Sequence, residues 1–301
     1  MNINIIMKKI AFLASAAVLL ALTACNTLDP ARPEAKAITI DAAIDVPTRA
    51  TTTGNSEKFD TGDKVVLFVW TGSASAIPPL PLWNGIEHEL QSDGSWKPAS
   101  AMYWQDFTSA HYFLGVYPAR SISDFKADSF TLKADDYVAS DLLVATETGG
   151  LTASDKPVKL NFKHLMARFQ VNMNFRSQFS GTPTVAVAAK AASGCTVDYL
   201  AGTVAAGAQE SVALAKLAAP ADGYAQSCGG IMIPQNGFRT VTLTIDGTDY
   251  VYTHPEDIQL VSGQVTVLNL TVGRDKIELA SDITIADWTA GSTLNGEAQD
   301  E

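Results

Sequence analysis

Cysteine is scarce in this chain: Cys25, Cys195 and Cys228 are the only three in 301 residues. That count excludes a disulfide-rich scaffold, and without a C-x-x-C spacing thiol redox catalysis has no support. Histidine is equally sparse. His88, His111, His164 and His254 are far apart, and none forms an H-x-x-x-H pair of the kind that holds zinc. The G-x-S-x-G, G-x-G-x-x-G and P-loop motifs are absent. Asp60-Thr61-Gly62 has the letters of an aspartic protease site. That chemistry needs two carboxylates sharing one proton, and the second triplet is missing, since Asp246-Gly247-Thr248 has the wrong order. The triplet reads as a polar turn that launches a strand at Lys64. Asp246 and Asp249 fall far short of the oxygen ligands calcium requires. The expectation is a protein that is not an enzyme, with no catalytic residue, no metal and no cofactor.

Positive charge is also in deficit. Lys and Arg number 21 against 32 Asp and Glu, a formal net charge of -11. Such a chain repels phosphate backbones, so nucleic acid is not expected as a partner, and polybasic membrane binding is disfavoured. Charged residues amount to 18% and hydrophobic ones to 47%, enough to build a packed core and too apolar for wholesale disorder.

Long hydrophobic runs are missing too. The run from Ile10 to Leu22 is too short to cross about 30 Å of hydrocarbon. Lys8 and Lys9 precede it and Leu22-Thr23-Ala24-Cys25 closes it, the layout of a signal peptide. Its last four residues resemble the lipobox of bacterial lipoproteins. The resemblance implies cleavage before Cys25, acylation of that cysteine and an outer-membrane anchor, each buried CH₂ adding about 0.8 kcal/mol. Cys195 and Cys228 remain. An oxidising compartment would permit a bridge between them, and two unpaired thiols are the other reading.

What the chain has in abundance is short alternating segments. Residues 26–36 are polar and proline-bearing, a tether. Then Ile38, Ile40, Ala42, Ile44 and Val46 recur with a period of two, the pattern of a half-buried strand ended by Pro47. Strands are predicted over 64–70, 111–117, 142–145, 158–162, 168–175, 184–188, 240–245, 248–252, 265–272 and 277–288. Asp246-Gly247 between two alternating runs predicts a hairpin. The Ala-rich stretch 201–219 is the best helix candidate, weakened by Gly202 and Gly207. Many short strands with frequent turn signals point to an all-β fold of β-sandwiches. The breaker-rich segment Ser177–Pro183 marks the boundary, giving a signal peptide (1–24), tether and strand (25–49), one sandwich (50–178) and another (179–301).

One segment, Leu160-Asn161-Phe162-Lys163-His164-Leu165-Met166-Ala167-Arg168-Phe169, carries a more specific likeness. With Thr48-Arg49-Ala50, Gly62-Asp63, Tyr117-Pro118, Asp141-Leu142-Leu143, Ile233-Pro234-Gln235, Ser262-Gly263 and Ile285-Ala286-Asp287-Trp288, in that order along the chain, it resembles the fimbrillin family, the type V pilus subunits of Bacteroides-type bacteria. The resemblance implies two tandem transthyretin-like β-sandwiches and export as a lipoprotein to the outer membrane and cell surface. It implies a trypsin-like cut between Arg49 and Ala50, and assembly with other fimbrial subunits by β-strand complementation. Host or bacterial surface ligands are implied for an adhesive subunit. On this scheme residues Ile38 to Val46 form a removable strand, whose loss opens a groove for a strand from another subunit. Beyond Trp288 the only large apolar residue is Leu294, a weak donor, which favours a tip or accessory subunit; Ile277 to Ile285 is the other candidate donor. The alternative reading is a permanently anchored lipoprotein that binds glycan by stacking on Trp83 and Trp96.

Overall fold

The computed structural model describes residues 36–45, 58–133, 136–181 and 183–288. Cys25, Val46, Arg49 and Ala50 lie outside them. In chain order the first strands are β1 (Ile40–Ile44), β2 (Lys64–Thr71), β3 (Trp83–Leu90), β4 (Trp96–Pro98), β5 (His111–Tyr117), β6 (Asp128–Thr131), β7 (Leu143–Leu151) and β8 (Val158–His164). A single helical turn, α1 (Tyr137–Ser140), precedes β7, capped by Asp136, whose side chain accepts from the Ala139 amide. Then follow β9 (Ala167–Phe175), β10 (Val185–Ala192), β11 (Gly194–Asp198), β12 (Thr203–Ala206), β13 (Gln209–Lys216), β14 (Gln226–Met232), β15 (Gln235–Ile245), β16 (Thr248–Leu260), β17 (Gln264–Val272), β18 (Ile277–Leu279) and β19 (Thr284–Asp287).

The fold is all-β, with two β-rich domains, each built on one large sheet that curls towards a barrel. The first sheet runs β1-β8-β7-β5-β2-β3-β4. The second runs β16-β15-β10-β13-β14-β9-β17-β18, with β19 also on β17. A small sheet, β12-β11-β6, takes one strand from the first half of the chain and two from the second. Each large sheet encloses its own core. Val65, Leu67, Val69, Phe113, Leu160 and Phe162 fill the first. Phe169, Val171, Met173, Val241, Leu243 and Leu268 fill the second. A third cluster joins them, in which Val66, Phe68 and Trp70 meet Tyr199, Ile231, Val265 and Trp288. This explains why β2 is apolar at consecutive positions: it is a central strand covered on both faces.

Close packing sets a limit at Gly115 on β5. A methyl group there would lie 2.7 Å from Cζ of Phe162. Gly115→Ala is expected to cost about 1–3 kcal/mol by overpacking, readable as a lower denaturant midpoint with unchanged slope. An unchanged midpoint would show that the Phe162 ring moves aside freely.

Three expectations need correction. The stretch 201–219 forms β12 and β13 rather than a helix. Val212 and Leu214 alternate, and β13 finds ladder partners in both β10 and β14, so sheet pairing overrides alanine's helical preference. Sheet membership changes between β8 and β9, at Leu165–Met166, not at 178/179. Ser177–Pro183 merely connects β9 to β10 inside one sheet, while the true crossover is two buried apolar residues without a breaker. The run 277–288 is two short strands pairing with different parts of β17. By contrast, the Asp246-Gly247 hairpin is present: Ile245 faces Thr248, and both turn residues have positive φ, 48° and 82°, as a type I′ turn requires.

Candidate functional site

The site is the segment Lys36–Asp45, which closes the first sheet. Its second half, β1, pairs in parallel with β8, from Ile40 opposite Val158 to Ile44 opposite Phe162. Backbone bonds clamp both ends: the Thr39 carbonyl accepts from Val158 N at 2.8 Å, and the Phe162 carbonyl accepts from Asp45 N at 2.7 Å. Its first half crosses to the other side of the opening. Ala37 bridges Tyr103 in antiparallel sense, Ile38 N donates to the Met102 carbonyl at 2.8 Å, and Trp104 N donates to the Lys36 carbonyl at 3.0 Å. One segment therefore bonds the two lips of the opening, β8 on one side and, on the other, the Met102–Trp104 stretch that follows the edge strand β4.

The alternation read from the sequence holds in part. Ile38 and Ile40 are 3% and 6% exposed and enter the first core; Ala42 and Ile44 are only half-buried. Each fully buried isoleucine contributes about 1.5–3 kcal/mol. The Met102–Trp104 lip was missed at the sequence level. Its signal was a period of two in three letters, Met102 and Trp104 buried and Tyr103 exposed, too short to read as a strand. On the far side of the 46–57 link the chain is fixed again by Phe59. Its ring packs edge-on against Trp96, Tyr117 and Phe162, with centroids 5.2, 5.2 and 5.3 Å away.

A second constellation gathers fragments that are far apart in sequence. His164, at the end of β8, stacks on Trp288 with ring centroids 3.9 Å apart and an interplanar angle of 13°. The Arg168 guanidinium lies 4.8 Å from the same indole. His164 Nδ1 is 2.9 Å from Asp141 Oδ1. The Gly263 carbonyl accepts from Trp288 N, the Met166 carbonyl accepts from Gly263 N, both at 2.8 Å, and Ser262 donates to the Leu165 carbonyl. The crossover between the two large sheets is thus pinned by Ser262 and Gly263, in the turn before β17, and by the residue after β19. Gly62-Asp63 and Tyr117-Pro118 also meet, through a Tyr117 hydroxyl donating to Asp63 at 3.1 Å.

These are the same fragments that carry the sequence likeness. A family model for fimbrillin-like proteins matches residues 48–288. The chain belongs to the fimbrillin-like family. No curated protein matches its sequence. Among solved structures it is similar to a candidate cell adhesion protein of Bacteroides uniformis, at 17% identity and a TM-score of 0.62, over 86% of this chain and all of that one. A candidate cell adhesion protein of Bacteroides ovatus is similar at 16% identity and a TM-score of 0.62, over 85% of this chain and 99% of that one. At such identity the likeness is one of fold. Family membership makes this a fimbrial, cell-surface structural protein rather than an enzyme.

The remaining residues singled out from the sequence fit a structural role in this fimbrillin-like protein. Asp60-Thr61-Gly62 is an exposed turn: the Asp60 carbonyl accepts from Asp63 N, and Gly62 has a φ of 96°. Asp246 accepts from the Thr184 amide and Asp249 from the Thr244 hydroxyl. Cys195 and Cys228 are free buried thiols in different core clusters, pushed up to about 11 by burial; of the two readings the sequence left open, the structure holds the unpaired one. Trp96 corrects the glycan reading. It is 9% exposed and committed to Phe59, so no sugar can stack on it. Trp83 is half-buried, with its indole N–H given to the Tyr103 carbonyl.

His88 is 1% exposed on β3, its Nδ1 bonded to the Ile86 carbonyl and its Nε2 without a partner among the described residues. Burial lowers its pKa below 6.5. The unfolded chain then binds the proton more readily than the fold does. Stability from a neutral His88 is complete above pH 6.5 and is lost as pH falls below it. Denaturant midpoints measured from pH 7.5 down to 5 should fall, and His88→Leu should flatten that slope. An equal slope in both proteins would remove His88 as the cause.

Proposed function

We propose that this protein is a type V pilus subunit that becomes competent for assembly when Lys36–Asp45 is removed. Acylation at Cys25 would hold the precursor at the outer membrane, and cleavage between Arg49 and Ala50 would free the segment together with its lipid. The observation that carries the reading is the double clamp: the same ten residues close both lips of the first sheet and supply Ile38 and Ile40 to its core. Their departure would leave two unpaired strand edges and an apolar slot. Such a groove is filled by an incoming strand through ladder bonds and alternate side-chain pockets. Phe59, held among three rings, would keep the new amino-terminal side of the chain in place.

A receiving role, at the tip or as an accessory subunit, is part of the proposal. It is supported by β18 and β19, which are paired to β17 of their own sheet. The experiment is mass spectrometry of the amino terminus of protein released from the cell surface. A terminus at Ala50 is expected. A population carrying only acylated Cys25 would overturn processing and leave a fixed anchor.

A further inference from the structure

An apolar ledge stands at the amino-terminal end of the closing segment, and strand exchange does not use it. Leu80 projects from the β2–β3 loop at 85% exposure, with Pro78, Pro79 and Pro81 restricting the backbone on either side. Trp83 follows, tied to the Tyr103 carbonyl at 2.9 Å. Tyr103 and Phe107 are 41% and 43% exposed, on the stretch that pairs with Lys36. The Lys36 ammonium lies 5.9 Å from the centre of the Phe107 ring. Thr71 donates to Gln105 at 3.2 Å, fastening the end of β2 to the same stretch. Leu80, three residues before Trp83, and Tyr103 and Phe107 are three of the seven large hydrophobic side chains that stand exposed among the described residues. Single exposed apolar residues are ordinary; a group of them marks a contact surface.

The position of the tether identifies what that surface meets. Eleven residue steps separate Cys25 from Lys36. Even fully extended, a chain of that length spans no more than about 40 Å. Acyl chains on Cys25 would therefore hold the bilayer within reach of the ledge. Tryptophan and tyrosine suit the headgroup region, where an apolar body and a polar tip are both satisfied; the Lys36 ammonium is held by Asp155 at 3.0 Å. We propose that the ledge formed by Leu80, Trp83, Tyr103 and Phe107 rests on the lipid surface while the precursor is anchored. The proposal rests on the reading that Cys25 is acylated. It also gives the closing segment a direction. Residues 36 to 45 rise away from the bilayer by up to about 30 Å at roughly 3.3 Å per residue. Asp45, from which the chain runs on to Arg49, is then presented to a soluble protease rather than to lipid.

The test places an environment-sensitive fluorophore at position 80, through Leu80→Cys, on lipidated protein. The protein is reconstituted in vesicles of phosphatidylethanolamine with one fifth phosphatidylglycerol. Cys195 and Cys228 are buried and escape labelling. The control is the same label through Val251→Cys, on the second large sheet and 60% exposed. The label at 80 should shift to the blue and lose at least half its emission to a nitroxide quencher in the lipid headgroup layer, while the label at 251 stays aqueous. Phe107→Ser should weaken that quenching. Protein that floats with the vesicles while both labels stay aqueous overturns the ledge and leaves the anchor intact. Protein that does not float overturns the anchor and the ledge together. A blue shift that follows protein density and ignores the lipid quencher assigns the ledge to a protein contact and overturns the lipid reading.

Discussion

Ile40→Asp is expected to open the first sheet. Ile40 is 6% exposed in the core that also holds Phe162 and Val158. The substitution forfeits about 1.5–3 kcal/mol of burial and would place a carboxylate where nothing offsets its desolvation, a penalty of several kcal/mol. Letting the strand leave is the cheaper outcome, because Lys36–Asp45 is an end segment of the sheet and not a central one. Two amides report on it directly. Val158 N donates to the Thr39 carbonyl and Trp104 N to the Lys36 carbonyl, one on each lip. Both should lose hydrogen-exchange protection by at least 100-fold in the variant, while amides of β9 and β17 keep theirs. Ile44→Asp, at a half-buried position near the end of the segment, should have a much smaller effect. Protection at Val158 and Trp104 that survives Ile40→Asp would mean that the lips hold without the segment, and the assembly account would fail with it.

Trp288→Ala should cost about 3–5 kcal/mol, the range for removing a large buried aromatic ring. For a chain of this size each kcal/mol lowers Tm by roughly 2–4 °C, so a drop near 10 °C is expected. The indole is 4% exposed and joins two elements, β8 through His164 and β9 through Arg168, while the Trp288 backbone N–H is held by the Gly263 carbonyl just before β17. Its removal leaves a cavity at the crossover between the two large sheets. Trp288→Phe keeps part of the stacking surface and should recover about half the loss. A double-mutant cycle with His164→Ala should show about 0.5–1.5 kcal/mol of coupling, the range for an aromatic pair. A Trp288→Ala protein within 1 kcal/mol of the parent would show that the crossover is held by the surrounding aliphatic residues alone.

Most strands could be read from the chain because their pattern is local. In β8 alternate residues face core and surface, and the residues themselves state which; in β9 apolar and polar residues alternate although both faces are largely buried. The Asp246-Gly247 turn is legible for the same reason: its backbone needs are met by the two residues that form it. The change of sheet was not legible because glycine and proline mark sharp local turns, whereas Leu165–Met166 crosses between sheets as a buried pair containing neither. The alanine-rich strands were misread because alanine's local preference is weak beside ladder bonds on both edges.

The closing segment divides along the same line. Its strand character and its apolar side lie in residues 38 to 46 and required nothing else. That it runs parallel to β8, and that Met102–Trp104 forms the opposite lip, was decided by the tertiary structure, because ladder partners are chosen by where the rest of the sheet leaves edges open. Trp288 follows the same rule. Its burial could be guessed from its type, but its place between His164 and Arg168 arises only when β17 and β19 fold back onto the crossover. Period and turn chemistry act over a few residues and are written in order along the chain; edges and ring contacts join residues more than a hundred positions apart, and only the folded chain brings them to the same place.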